Sequence, residues 1–185
     1  MNIGDLKIDV PVFLAPMSGV TDLPFRKMAR RLGAPLVVSE MVACEELAHA
    51  KPESLRRAAG KGEVAPLIIQ LAGREEYWMA EGARIAQDLG ADVIDINMGC
   101  PARKVTSGWS GSALMRDLDH AARLIAATIA AARVPVTLKM RLGWDEHTMN
   151  APELARRAEQ LGVALLTVHG RTRCQFYKGR ADWTA

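Results

Sequence analysis

The chain has 185 residues, 49% of them apolar and 24% charged, enough for one domain with a sizeable core. Its 24 Lys and Arg stand against 21 Asp and Glu, and the net charge of +3 permits a polyanionic partner without requiring one. Three unpatterned cysteines argue against a disulfide framework and zinc fingers and for a reducing, cytoplasmic setting, while no apolar run is long enough to span a membrane and Met1–Val10 lacks a signal-peptide core.

Val12–Ala15 reads as a short strand, and Pro16-Met17-Ser18-Gly19 turns out of it. Thr21 or Asp22 can cap a helix that tolerates Pro24 in its first turn and sets Phe25, Met28 and Leu32 on one face. Gly33 ends it. Leu36–Ser39 is a second strand. Residues 40–59 read as helical with a break at Pro52, the least defined stretch of the chain. Pro66–Leu71 is a third strand, with Gln70 near its end. Arg74–Leu89 is a helix stopped by Gly90.

The fourth strand is the apolar run Val93-Ile94-Asp95-Ile96, which leads into Asn97-Met98-Gly99-Cys100-Pro101. Gly99 and Pro101 force a turn that holds Cys100 just beyond the strand. Residues 102–112 form a loop rich in Gly and Ser. Leu118, Ala122, Ile125, Ile129 and Ala132 mark the inner stripe of the next helix. Val134–Met140 is a fifth strand with Lys139 near its end. Ala151–Leu161 is a helix ended by Gly162. Ala164–Val168 is a sixth strand, closed by His169-Gly170-Arg171.

Strand and helix alternate about every 30 residues, the period of a βα unit in a parallel sheet. No G-x-G-x-x-G follows the first strand, so a dinucleotide-binding open sheet lacks its fingerprint. The expected fold is α/β, a TIM (β/α)8-type barrel truncated to about six βα units. In such a barrel the residues just after each strand share one face. Here they include Pro16, Met17, Ser18, Gln70, Asn97, Cys100, Lys139, Arg141 and His169. Lys139 can also be read as the ion-pair partner of Asp95. The later loops add Arg103, Lys104, Arg171 and Arg173, an electropositive rim suited to RNA or a phosphorylated cofactor. Asp145, Glu146 and His147 read as a solvated loop, and no metal site is expected.

Asp95-Ile-Asn-Met-Gly-Cys-Pro101, with Leu14-Ala-Pro-Met17, Val38-Ser-Glu-Met41, Gly111-Ser-Ala-Leu114, Leu138-Lys-Met-Arg141 and His169-Gly-Arg-Thr172, resembles the bacterial tRNA-dihydrouridine synthases, most closely their B-type branch. The resemblance covers the whole chain. It implies an FMN-binding barrel followed by a small helical tRNA-binding domain, of which residues 1–185 would be the N-terminal part. It also implies flavin contacts from Pro16, Met17, Ser18, Gln70, Lys139 and His169. Asn97 is implied to bind flavin or uracil, and Cys100 to protonate the substrate. Arg103, Lys104, Arg141, Arg171 and Arg173 would bind tRNA. The implied reaction uses NADPH to reduce FMN, and hydride then passes to uracil C6 while a proton reaches C5. With its barrel open, the chain alone is expected to bind flavin weakly, turn over little tRNA and self-associate through exposed strand edges. Two other functions are compatible with the residues. One is a class I aldolase with Lys139 as its Schiff-base amine. The other is a non-catalytic RNA-binding fragment.

Overall fold

The computed structural model describes all of residues 1–185. A two-stranded hairpin, β1 (Asn2–Ile3) and β2 (Leu6–Lys7), opens the chain. Six parallel strands follow: β3 (Phe13–Leu14), β4 (Leu36–Ala43), β5 (Ile68–Ala72), β6 (Val93–Met98), β7 (Val136–Arg141) and β8 (Leu165–His169). Each pairs with its predecessor, so their order in the sheet is their order in the chain. The sheet curls into most of a (β/α)8 barrel, as the alternation predicts. No helix is long and apolar enough to cross a membrane.

The connecting helices are α1 (Leu23–Arg31), α2 (Cys44–Ala48), α3 (Pro52–Ala58), α4 (Glu76–Asp88), α5 (Arg103–Thr106), α6 (Leu118–Ala131) and α7 (Ala151–Leu161). A 3₁₀ turn, Gly111–Arg116, leads into α6. Asp22, not Thr21, caps α1, its side chain accepting from the Phe25 N–H at 2.9 Å. Thr21 instead exchanges hydrogen bonds with the Met17 backbone and braces the first strand-end loop. Helix α7 has the predicted bounds and ends at Gly162, whose φ of +98° only glycine adopts without strain.

Side chains alternate across the sheet. Ile94, Ile96 and Met98 of β6 point outward into a core shared with Met79, Ala83 and Ala86 of α4 and Leu124 and Ile125 of α6. Inside the barrel a second cluster of Ile3, Ile8, Leu36, Val38, Ile68 and Val93 closes the lower end, with the hairpin acting as a plug. Above it the inward positions turn polar.

Four sequence expectations differ from the structure. Residues 40–43 continue β4 as a strand. Their helix-forming composition is overridden by pairing with β5, and the register shift between Val38 and Met41 marks where the strand adjusts. The fully buried stripe of α6 is Ala121, Leu124, Ile125 and Thr128, and of the predicted line Ile125 shares it while Leu118, Ile129 and Ala132 pack against the same core from its edge. Phe25, Met28 and Leu32 do share a face of α1, but it is the solvent side, and Leu32 is 81% exposed. The inward position is taken by Arg26, which donates to the carbonyls of Thr21, Arg57 and Ala59. Residues 102–112 are partly helical rather than an open loop, because α5 fits within them.

Candidate active site

The strand ends surround a cavity of about 610 Å³. Pro16, Met17, Ser18, Gln70, Asn97, Cys100, Lys139, Arg141 and His169 all line it. The parallel register explains the convergence: Asn97 lies opposite Lys139, and Arg141 opposite His169, on successive inward-facing steps. Met17 and Met41 add apolar wall, and Phe176 and Tyr177 close the side beyond β8. These two aromatics are absent from the sequence expectation. They stand well past the last strand, where strand-end reasoning does not reach.

The floor is a connected hydrogen-bond network. Ser39 Oγ accepts from the Gln70 N–H at 2.9 Å. Gln70 Nε2 donates to Asp95 Oδ2 at 2.6 Å, and Thr137 Oγ1 donates to Asp95 Oδ1 at 2.6 Å. Asn97 Nδ2 donates to Gln70 Oε1 at 2.8 Å. Asp95 is therefore held by two neutral donors in place of an ion pair with Lys139. Burial pushes its carboxyl above the ordinary range, against these bonds and the Lys139 charge. Burial likewise lowers the Lys139 pKa, and Asp95 opposes that shift. His169 is pushed down to about 4, first by burial and then by Arg141, Lys139 and Arg171. Its imidazole is neutral at physiological pH.

Cys100 is held by backbone. Asn97 Oδ1 accepts from the Gly99 N–H at 3.3 Å and the Cys100 N–H at 3.0 Å. The Cys100 carbonyl accepts from the Ser112 N–H at 3.0 Å and from Ser112 Oγ at 2.8 Å. Gly111 permits that approach: it has φ +58°, and a Cβ there would stand 2.8 Å from the Cys100 oxygen. The thiol is half-buried on the cavity wall. Glu40, itself buried, accepts from the Gly19 N–H at 2.6 Å and so ties the first loop to β4.

The basic residues fall into two groups. Arg103 and Lys104 are exposed on α5. Lys104 borders a second hollow of about 380 Å³ beside the cavity, with Arg57, Arg74 and Trp78. Arg141, 2% exposed, donates to the carbonyls of Gly99, Thr172 and Phe176 at 2.8, 2.9 and 2.8 Å. It joins the Cys100 turn to the segment that carries Phe176 and Tyr177. Arg171 donates to the Gly179 carbonyl and lies 3.4 Å from His169 Nε2. Arg173 lies over the Trp144 ring. Of these, only Arg141 lines the cavity itself.

Such an arrangement brings a thiol, two amides, an amine and a neutral imidazole to one half-enclosed hollow. It can bind a flat polar ring, neutralise charge that develops on it, and move a proton at Cys100.

Comparison with known proteins points to one family. The family model described as "Dihydrouridine synthase (Dus)" matches residues 13–185. A protein of Rhizobium leguminosarum named "Probable tRNA-dihydrouridine synthase" is 65% identical over 174 residues, covering 94% of this chain and 55% of the relative. One of the same name from Rhodobacter capsulatus is 58% identical, covering 100% of this chain and 57% of the relative. "tRNA-dihydrouridine synthase B" of Xanthomonas campestris is 51% identical, over 99% of this chain and 55% of the relative. The chain thus spans about half the length of the curated relatives it matches.

Proposed function

Because the chain belongs to the dihydrouridine synthase family, we propose that its strand-end cavity is where a uridine of tRNA is reduced to 5,6-dihydrouridine. The observation that carries this reading is the meeting of Cys100 with Gln70, Asn97, Lys139 and His169 on one cavity of about 610 Å³. The reaction adds a hydride to C6 and a proton to C5 of the uracil ring, and NADPH is the reductant.

The cavity suits FMN. Pro16, Met17 and Ser18 would line one side of the ring, Gln70 and Asn97 would offer amides to its polar edge, and Lys139 would stand against it as a cation. When bound, FMN supplies the hydride donor that a protein of ordinary side chains lacks. The chain's own residues do the rest. Asn97 and Ser112 fix the Cys100 turn, so the thiol holds its proton at a defined place on the wall. Lys139 balances negative charge in a partly desolvated hollow, where such charge is costly if left alone. Neutral His169 can accept or donate without adding to the positive charge of Lys139 and Arg141. The Phe176–Tyr177 segment, held by Arg141, keeps water from that side. Reaching the cavity requires the uracil to leave the tRNA stack.

Stopped flow with FMN, NADPH and tRNA separates flavin reduction from uridine reduction. Cys100→Ala is expected to spare the first and to slow the second about 10²-fold or more, as loss of a general acid does. Uridine reduction at the unaltered rate would remove Cys100 from the mechanism. These measurements are made on the chain extended by the last barrel strands, and failure of FMN to give a bound-flavin spectrum there would overturn the reading as a whole.

Burial of Lys139 also favours a second reading, since a lowered amine pKa is what a Schiff-base lysine needs. Borohydride trapping of a carbonyl compound on Lys139, without any flavin spectrum, would select that lyase instead.

A further inference from the structure

Four side chains from three strand-end loops stand in an alternating stack. The Arg116 guanidinium lies 5.0 Å from the ring centre of Trp109 and 4.9 Å from that of Trp144. Arg173 lies 4.8 Å from the Trp144 ring. The stack therefore runs Trp109, Arg116, Trp144, Arg173, from the loop after β6, through the 3₁₀ turn, to the loops after β7 and β8. The last two loops are joined by backbone as well, since the Arg173 and Cys174 N–H groups donate to the Gly143 and Trp144 carbonyls.

A stack of this kind could simply hold the loops together. Trp144, half-buried, serves that purpose. Trp109 differs in two respects. It is 49% exposed, so the terminal indole stands in water. It also has φ +55°, a conformation strained for a bulky residue and retained where the surroundings impose it. The indole is backed by Arg116 before anything binds.

Its position suits an RNA reader. Trp109 lies just before Gly111 and Ser112, the residues locked onto the Cys100 carbonyl. Arg116 itself is in no salt bridge, because Asp119 and Glu153 both pair with Arg157 and Asp117 caps α6 through the His120 N–H. Moving a uridine into the cavity strips its neighbours of a stacking partner. An exposed indole backed by a cation can take one of those neighbours, whatever its base.

We propose that Trp109 is a stacking platform for a nucleobase adjacent to the target uridine, held in place by Arg116. This rests on the reading of the cavity as a uridine-reducing site. The test uses the 185-residue chain with a short oligouridylate and an RNA duplex of equal length. Trp109→Ala is expected to weaken oligouridylate binding about ten-fold or more, to leave the duplex unaffected and to leave the salt slope unchanged, because every phosphate keeps its cation. Trp109→Phe should bind within about three-fold of the parent, since a smaller ring still stacks. That variant should also lose most of the indole quenching that RNA produces in the parent. Undiminished binding by Trp109→Ala, full quenching in Trp109→Phe or a flattened salt slope would each overturn the proposal. If the parent chain binds FMN and oligouridylate while Trp109→Ala matches it, the platform alone fails. If a parent chain extended by the last barrel strands binds neither, the uridine-reducing reading fails and the platform falls with it.

Discussion

The cavity floor and its rim are both polar, yet they are built on opposite terms. On the floor, Ser39, Gln70, Asp95, Asn97 and Thr137 satisfy one another within the sheet. On the rim, Arg103 and Lys104 extend from a four-residue helix into water. A buried polar group without a partner costs about 1–3 kcal/mol, so the floor must be complete before any ligand arrives. An exposed cation costs little, so the rim can wait for an outside partner. Arg141 has the rim's chemistry and the floor's environment, and it behaves as floor.

The largest expected effect separates these classes at Arg141. Arg141→Met should destabilise the chain by about 3 kcal/mol or more, because three carbonyls lose charged donors from a side chain that is itself buried. A chemical denaturation series measures it, and a loss below about 1 kcal/mol would return Arg141 to the rim. Next in size, Lys139→Ala should weaken FMN binding about ten-fold or more, the scale of one charged hydrogen bond. Fluorescence titration of FMN gives the figure, and an unchanged affinity would make Lys139 structural.

The third effect is one of pH. His169 has a pKa of about 4 when folded, against roughly 6.5 unfolded. Between these values the unfolded chain binds a proton that the folded chain refuses. The stability is therefore full above about pH 6.5 and lost progressively as pH falls toward 4. His169→Gln should flatten the difference between unfolding curves taken at the two ends of this window. Parallel curves for parent and variant would show that His169 is not shielded.

The smallest effects belong to the rim. Neutralising Arg103 or Lys104 should lower the log–log salt slope of tRNA binding by about 0.7–0.9 for each phosphate left without its cation. Arg171 and Arg173, already engaged by Gly179 and Trp144, should change the slope less. Equal effects from all four would erase the distinction between committed and free cations.

Floor and rim also differ in how well the sequence discloses them. Gln70, Asn97 and Lys139 are visible because each falls at a fixed step from the end of an apolar strand, and parallel register carries equal steps to one level. The sequence places Asp95 on its strand but does not disclose its partners. Adjacency of the two strands suggests Lys139, whereas the register sets Thr137 and Gln70, not Lys139, opposite Asp95. The continuation of β4 through residues 40–43 is hidden for a similar reason: strand pairing, a long-range effect, outweighs helix propensity there. Phe176 and Tyr177 reach the cavity through Arg141, a connection that no periodicity records. The exposure of Phe25, Met28 and Leu32 shows the limit of apolar spacing, which identifies a face but not the side to which it turns.

The agreement between strand order and chain order has a consequence for synthesis. Each strand from β4 onward finds its partner in the strand made about one unit earlier, so no strand must wait for a distant stretch to leave the ribosome. The growing sheet then has one moving frontier, always the newest strand. The Cys100 turn acquires its first wall from β5 before translation reaches Ser112. It is locked only when Gly111 and Ser112 emerge, and Arg141 joins it to the far wall later still. The Cys100 thiol is thus made early and confined in stages, in the direction of translation.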